Sequence, residues 1–528
     1  MISNLKLPAI LLSLILIISC EKNKSIEDAG VHYGGTARIE LQSANDNLFP
    51  FLIQESNLRQ VSEYLLNPTL IQYKDDGQPE GLLVSAWQAG TGNTSITYVL
   101  NSAFRWSNGA PVSTTDIAFT FVVMQLPYFK KSLAERYKVI RDVEIIDSLS
   151  FKISFSRPVA DMYYHSNIPV LPAVFEKFIS EPPALLQAYQ NEFVGCGPFL
   201  LEQTTQDSLV LRKNEHYPGE FPRLEQLVIY FYRSEDQLAQ QIRNSQVDLV
   251  VDLPFSLVNL INEKSGYKIL TYPEHGYSFV AWNLKKDLFK DISIRQALSL
   301  AIDRDALVNG ILAGYARKIE GPVYPGLKEI NNALPALVYD PQKAEQLLDE
   351  TGWRLDESTG VRKRKGERFS FTLMINRENL IRKEIALNIK ANLAAVGIKI
   401  DIEITDWHEI RQVIQNKNFD ALLLTWVDED VYDPSQIFHS TGIDYGLNMM
   451  SYQNSRIDSL IELGLNALDP DLRSQAWADF QYTVASDLPC TFLYGQEIIC
   501  GISASLQDVS ISERGYLINV KEWWTSNR

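Results

Sequence analysis

An apolar run from Leu7 to Ile18 opens the chain, with Lys6 before it and Ser19-Cys20, then Glu21-Lys22-Asn23-Lys24-Ser25, after it. A bilayer crossing needs about 20 apolar residues, so this run is too short to span one. A charged start, a short apolar core and a small residue before the break predict a secretory signal over 1–19. Farther along, the apolar spacing alternates between two periods. Ile294, Ala297, Leu298, Ala301 and Ile302 mark one helical face. Asp340 and Pro341 form an N-cap followed by a proline at the first helical position. Ala344, Leu347 and Leu348 continue that stripe, and Gly352 sits where the helix should stop. Ile381, Ile385, Ile389, Asn392 and Val396 make a longer face that ends at Gly397. From Ile398 to Ile404 the period drops to two, which predicts a strand. Leu422-Leu423-Leu424 has the unbroken apolar character of a buried strand. Ser95 to Leu100 and Leu209 to Arg212 read as antiparallel strands. The pattern is that of an α/β protein with mixed sheets.

The 528 residues exceed what one hydrophobic core organises, so two or three domains are expected. After the signal no apolar run reaches 18 residues. A net charge of −16 argues against a nucleic-acid partner and against an anionic lipid surface. The cysteines are Cys20, Cys196, Cys490 and Cys500. Export permits a Cys490–Cys500 disulfide; the alternative is that the last three are small buried hydrophobes. His32, His165, His216, His275, His408 and His439 lack the spacing of a helical zinc motif, so no metal and no cofactor is expected. A Gly-x-Ser-x-Gly elbow, a His-Glu-x-x-His pair and a Walker loop are all absent from the sequence, which argues against an enzyme. Residues 21–33 read as a polar tether. The charged stretch from Arg362 to Glu367 reads as a solvated turn between strands.

Taken in order, further segments carry a resemblance. Ile17-Ile18-Ser19-Cys20 resembles a bacterial lipobox, in which the cysteine is lipidated and becomes the new N-terminus. Next come Leu65-Leu66-Asn67-Pro68-Thr69-Leu70 and Phe104-Arg105-Trp106-Ser107-Asn108-Gly109-Ala110-Pro111, with Asp116 beyond. Gly195-Cys196-Gly197-Pro198-Phe199, Asp248, Trp282-Asn283, Ile294-Arg295-Gln296-Ala297-Leu298 and Ala301-Ile302-Asp303-Arg304 come after these. Tyr339-Asp340-Pro341, Phe419-Asp420, Asp433-Pro434 and Tyr452-Gln453-Asn454 complete the series. In this order the segments resemble family 5 of the extracellular solute-binding proteins of bacterial ABC importers, the peptide- and nickel-binding type. Asn108 stands where the family has aspartate, and both residues turn well. Most of these residues are expected to hold the scaffold, with Asp303 and Arg304 bonding locally at a helix end.

The resemblance implies a periplasmic-binding-protein-like fold (class II, cluster C), with two lobes of mixed sheets around a cleft and an extra inserted domain. The expected boundaries are signal peptide 1–19, lipid-anchored tether 20–33, and domain I from 34–62, 193–271 and 490–528. Domain II is the insertion 63–192, and domain III is 272–489. The implied function is a lipid-anchored, exported monomer that captures short peptides in the cleft and delivers them to the permease subunits. The family also hosts binders of nickel chelates, haem, glutathione, opines and oligosaccharides, and ligand sensors; these stay as alternatives.

In peptide-binding members a carboxylate shortly after a Gly-Trp strand end takes the peptide ammonium. Counting forward from Trp426 gives Glu429; counting back from Asp433-Pro434 gives Asp430, and a solvated acidic loop is the plain alternative. Trp426 either walls the cleft or joins the core. Arg377 corresponds to an arginine that takes the ligand carboxylate in dipeptide-binding relatives, or is a surface residue beside Glu378 and Glu384. Tyr272, Tyr277 and Phe279 lie just past the expected crossing at Thr271, with Tyr277 the candidate for cleft lining and core packing its alternative.

Overall fold

The computed structural model describes residues 32–42, 47–53, 55–74, 78–264, 266–324, 327, 331, 333–377, 379–428, 432–512 and 514–526. The signal segment, Cys20, Glu429 and Asp430 lie outside the described residues.

In chain order the strands that frame the site begin with β1 (Thr36–Gln42). Four form a separate antiparallel sheet: β2 (Val84–Ala89), β3 (Ser95–Leu100), β4 (Ile140–Ile145) and β5 (Ser150–Phe155), ordered β2-β3-β5-β4. Then come β6 (Phe199–Thr204), β7 (Ser208–Lys213), β8 (Gln226–Tyr232), β9 (Leu249–Val250) and β10 (Tyr267–Pro273). The remainder are β11 (Gly276–Trp282), β12 (Ser370–Asn376), β13 (Lys399–Thr405), β14 (Ala421–Val427) and β15 (Cys490–Ser503). They join one twelve-stranded sheet in the order β13-β12-β14-β11-β15-β9-β1-β8-β7-β6, with β10 and the short Ala316–Lys318 strand also pairing β15. Parallel pairs (β1 with β8 and β9, β12 with β13 and β14) alternate with antiparallel ones. The mixed α/β character read from the periodicities is therefore observed.

Two strands link the halves of this sheet. The first part of β15 pairs β11, from Ala281↔Cys490 to Ser278↔Tyr494. Its second part pairs β10, from Pro273↔Glu497 to Tyr267↔Ser503. Glu274 and His275 connect β10 to β11 at the same level. All seven residues of β11 are buried, as a central strand covered on both faces requires.

The predicted helices form where the caps say. Asp340 Oδ1 accepts from the Lys343 amide at the start of the Pro341–Glu350 helix. The Leu380–Ala395 helix starts at Asn379, whose side chain accepts from the Arg382 amide at 2.8 Å, and Gly397 turns out of it with φ +81°. β13 runs one residue later than the alternation suggested. Asn108 accepts from the Ala110 amide at 3.1 Å and so closes its turn.

Buried apolar residues fall into three groups, the last assembled from three separate stretches of sequence. One core draws on Leu70 to Tyr189, joined by Phe49, Phe51, Cys196 and Tyr217. Two draw on Tyr277 to Tyr494. Two more combine Ala37 to Leu66, Phe199 to Ile261 and Ile499 to Trp523.

The cysteines follow the buried-hydrophobe reading, and two other expectations need correction. Cys490 and Cys500 are free and buried, like Cys196. They lie ten residues apart on β15, about 30 Å at strand rise, far beyond the reach of a disulfide. The charged turn keeps Arg362 inside rather than solvated: it donates to Val396 O, Trp353 O and Asp349. Arg304 does not bond locally but reaches Ile319 O, Leu337 O and Glu320.

Candidate cleft site

In open α/β sheets, ligands bind outside the carboxyl ends of parallel strands. Here those ends are Gln42, Tyr232 and Val250 in one half, and Asn376, Thr405 and Val427 in the other. The Glu274-His275 connector lies between them, its Glu274 amide tied to Gln496 O at 2.9 Å. Asp252, just past β9, holds a left-handed φ of +54°, which aspartate tolerates. Its side chain is exposed to water.

Arg382 comes from the opposite half. Its place in the first turn of the Leu380–Ala395 helix turns the side chain back toward the strand ends. Its guanidinium donates to Asn376 Oδ1, and to Thr425 Oγ1 at 2.9 Å. Thr425 Oγ1 in turn bonds Ser278 Oγ at 2.8 Å. Four arginines are buried among the described residues: Arg295, Arg304, Arg362 and Arg382. Arg304 and Arg362 reach a carboxylate. Arg295 is wrapped by the carbonyls of Phe289, Lys290, Asp487 and Leu488. Arg382, at 7% exposure, has only two neutral side-chain oxygens, and among the described residues no carboxylate comes within ion-pair distance. Burial pulls its pKa down, while Tyr494 and Glu274 push the other way. A buried charge left this way is expensive without a partner.

Glu274 answers it from the crossing. Burial first, then the neighbouring Asp252 carboxyl, push Glu274 up to about 7, and Arg382 opposes the shift. Asp252 is also raised, by burial and by Glu55. Tyr494 is pushed up to about 12 by burial, with Ser278 and Arg382 pulling it back.

A second group of side chains sits where β14 ends. Asp428 is 8% exposed, its amide bonded to His275 O at 2.7 Å. Its Oδ1 accepts from Trp426 Nε1 at 2.7 Å, and among the described residues its buried Oδ2 has no hydrogen-bond partner. Burial raises its carboxyl to about 7, and Asp433 adds to the shift while the indole opposes it.

Against the residues singled out in the sequence, the placement is uneven. Trp426 is half-buried, packed against the apolar core on one side and bonded to Asp428 on the other. Arg377 is exposed at the end of β12, with its amide bonded to Thr405 O, while Asp406 feels its charge. Tyr277 is 1% exposed and packs on Phe279 and Phe492, so it is a core residue that backs the cleft without lining it. Glu429 and Asp430 lie outside the described residues. Sequence reasoning missed Arg382, Asp428, Glu274 and Asp252. Arg382 carried one usable signal, a basic residue at the first turn of a helix that begins at a buried strand end.

A two-lobed α/β sheet joined by two crossing strands, with charged groups near the junction, is an architecture suited to holding a small ligand. The chain belongs to the family of bacterial extracellular solute-binding proteins, family 5, whose middle-region model matches residues 78–446. This is a family of non-enzymatic solute-binding components of ABC transporters. The chain is 26% identical over 447 residues to the oligopeptide-binding protein AppA of Bacillus subtilis (strain 168), covering 82% of this chain and 81% of AppA. It superposes on the structure of AppA from Bacillus subtilis in complex with a nonapeptide with a TM-score of 0.73 and 22% identity, over 94% of this chain and 99% of that one. NikZ from Campylobacter jejuni in complex with Ni(L-His) superposes with a TM-score of 0.75 and 18% identity, over 92% and 99%. The fold read from the sequence, a periplasmic-binding-protein architecture with mixed sheets, is thus the observed one.

Proposed function

We propose that this protein captures short peptides with free termini between its lobes and passes them to the membrane subunits of an ABC importer. The observation that carries this reading is Asp428 Oδ2, a buried carboxyl oxygen at a strand end with no donor among the described residues. An ammonium group supplies such a donor together with the charge that a raised carboxyl lacks. Arg382, held by neutral oxygens in the same lobe, is suited to the peptide carboxylate, since a planar guanidinium takes carboxylates in two-point contact. Glu429 and Asp430 continue the acidic stretch and stay candidates for the ammonium. Trp426 is the candidate wall for the apolar backbone of the ligand, and Arg377 is a rim residue that can contact a longer one.

The three groups of buried apolar residues support a division into domain I (34–62, 193–271 and 490–528), domain II (63–192) and domain III (272–489). Closure of domain III on the others about the two crossing strands buries the ligand. Export and lipidation at Cys20 hold the monomer at the cell envelope. The likeness to an oligopeptide-binding protein supports the ligand class. The test is mass spectrometry of small molecules that co-purify with the protein, followed by calorimetry with the peptides found. Recovered peptides whose N-acetylated or C-amidated forms lose affinity support the reading; recovery of a non-peptide ligand, or indifference to both end groups, overturns it.

A further inference from the structure

We propose that Thr425 is a positioning residue for the ligand carboxylate: with Asn376 it grips the two prongs of the Arg382 guanidinium, and the Ser278 hydroxyl holds Thr425 in turn. The inference rests on Arg382 being the seat of the peptide carboxylate, and it names what fixes that seat.

The sheet brings the three partners together from three strands. Asn376 is the last residue of β12, Thr425 lies two residues before the end of β14, and Ser278 is the third residue of β11. β14 runs parallel to β12, and Thr425 stands directly opposite Ser278 in the antiparallel pair of β14 with β11. Opposite residues of such a pair share one face of the sheet, so the two hydroxyls meet at 2.8 Å. A guanidinium carries five N–H groups and accepts nothing. Nη1 of Arg382 donates to Asn376 Oδ1, and Nη2 donates to Thr425 Oγ1 at 2.9 Å. The grips fall on different nitrogens and so fix the plane of the fork; either one alone would leave it free to turn about the bond it keeps. Because Thr425 Oγ1 is the acceptor toward Arg382, its own hydrogen is available to Ser278 Oγ. Ser278 is 4% exposed, which puts a packed strand behind the threonine. The β-branch of Thr425 also limits its χ1, so the oxygen stays aimed. Three N–H groups of Arg382 have no acceptor among the described residues. A two-point contact with a carboxylate needs two parallel N–H bonds, and its strength depends on that plane being set before the ligand arrives.

The test compares tetra-alanine with tetra-alanine amide, which lacks the carboxylate, by calorimetry on the wild type, Thr425→Val and Thr425→Ser. Valine keeps the branched shape and removes the oxygen; serine keeps the oxygen. The wild type is expected to bind the acid more tightly than the amide. Thr425→Val is expected to weaken the acid by about tenfold or more, the worth of one hydrogen bond to a charged group, and to leave the amide unchanged. Thr425→Ser restores the acid. If Thr425→Val folds poorly, Ser278→Ala carries the same test, with a smaller loss for the acid and none for the amide. An acid-to-amide ratio that these variants leave unchanged, an equal loss for both peptides, or no rescue by serine overturns the positioning role. A wild type that binds acid and amide alike overturns Arg382 as the seat, and one that binds neither overturns the peptide reading.

Discussion

Glu40 offers a stability prediction that can be worked through. It sits in the middle of β1 at 1% exposure, and among the described residues neither of its oxygens meets a donor at full hydrogen-bond geometry, the Gln241 side chain being the polar group that acts on it. Burial raises its pKa from 4.5 to about 7, with the Gln241 amide pulling modestly the other way. A carboxyl whose folded pKa lies above its unfolded one binds more protons folded than unfolded between the two values. Stability therefore is fully present below about pH 4.5, declines as pH rises, and levels off above about pH 7. A shift of this size corresponds to about 3 kcal/mol, at about 1.4 kcal/mol for each pH unit. Glu40→Gln keeps the shape and removes the charge. Urea denaturation at pH 5 and pH 8 is the assay. At pH 5 the two proteins should agree within about 1 kcal/mol, and at pH 8 the variant should be the more stable by up to about 3 kcal/mol. Parallel pH dependences for the two proteins, or a variant less stable at pH 8, would refute the reasoning.

Asp428→Asn should weaken binding of unblocked short peptides by about a hundredfold or more, because breaking a buried ion pair costs about 3–5 kcal/mol, while melting of the free protein changes little; unchanged calorimetric affinity counts against the ammonium site. Gly197→Ala should destabilise by roughly 1–3 kcal/mol, since an added Cβ would stand 2.1 Å from Leu65 O, and an unaltered melting temperature would show that the backbone there yields. Cys20→Ala should leave the protein unprocessed or released from membranes, and wild-type protein found free with an N-terminus other than residue 20 would exclude the lipid anchor. Small-angle scattering should give a smaller radius of gyration with bound peptide than without, and an unchanged radius at saturation would argue against closure.

What could be read in the sequence was whatever depends on neighbours along the chain. Asp340-Pro341, Gly352, Gly397 and the Lys399–Thr405 alternation are local signals, and the structure uses each as a cap, stop or strand. The fold class came out of them because helix–turn–strand units allow few architectures. The site was harder, because its residues acquire their character from distant partners. Arg377 and Arg382 are five positions apart and chemically identical; only the register of β12 with β14 and the Asn379 cap send one outward and the other inward. Tyr277 lies just past the crossing as expected, but a strand between two neighbours has both faces covered, and that depth depends on β14 and β15. Glu274 carried no motif, since its place at the crossing is set by the pairing of β15 with β10 and β11, far away in sequence.

The shared strand β15 also has a bearing on how the chain comes to be folded. Its fourteen residues complete the ladders of β9 and β10 on one side and of β11 on the other, yet they lie in the last tenth of the sequence. A chain made from its N-terminus holds β1, β8 and β9 ready, but it can close neither half of the central sheet until Cys490–Ser503 emerges. Non-local pairing of this kind is slow to form. Under the export proposed above, that delay is useful, because the order in which the strands arrive keeps the chain from finishing its fold before it crosses a membrane.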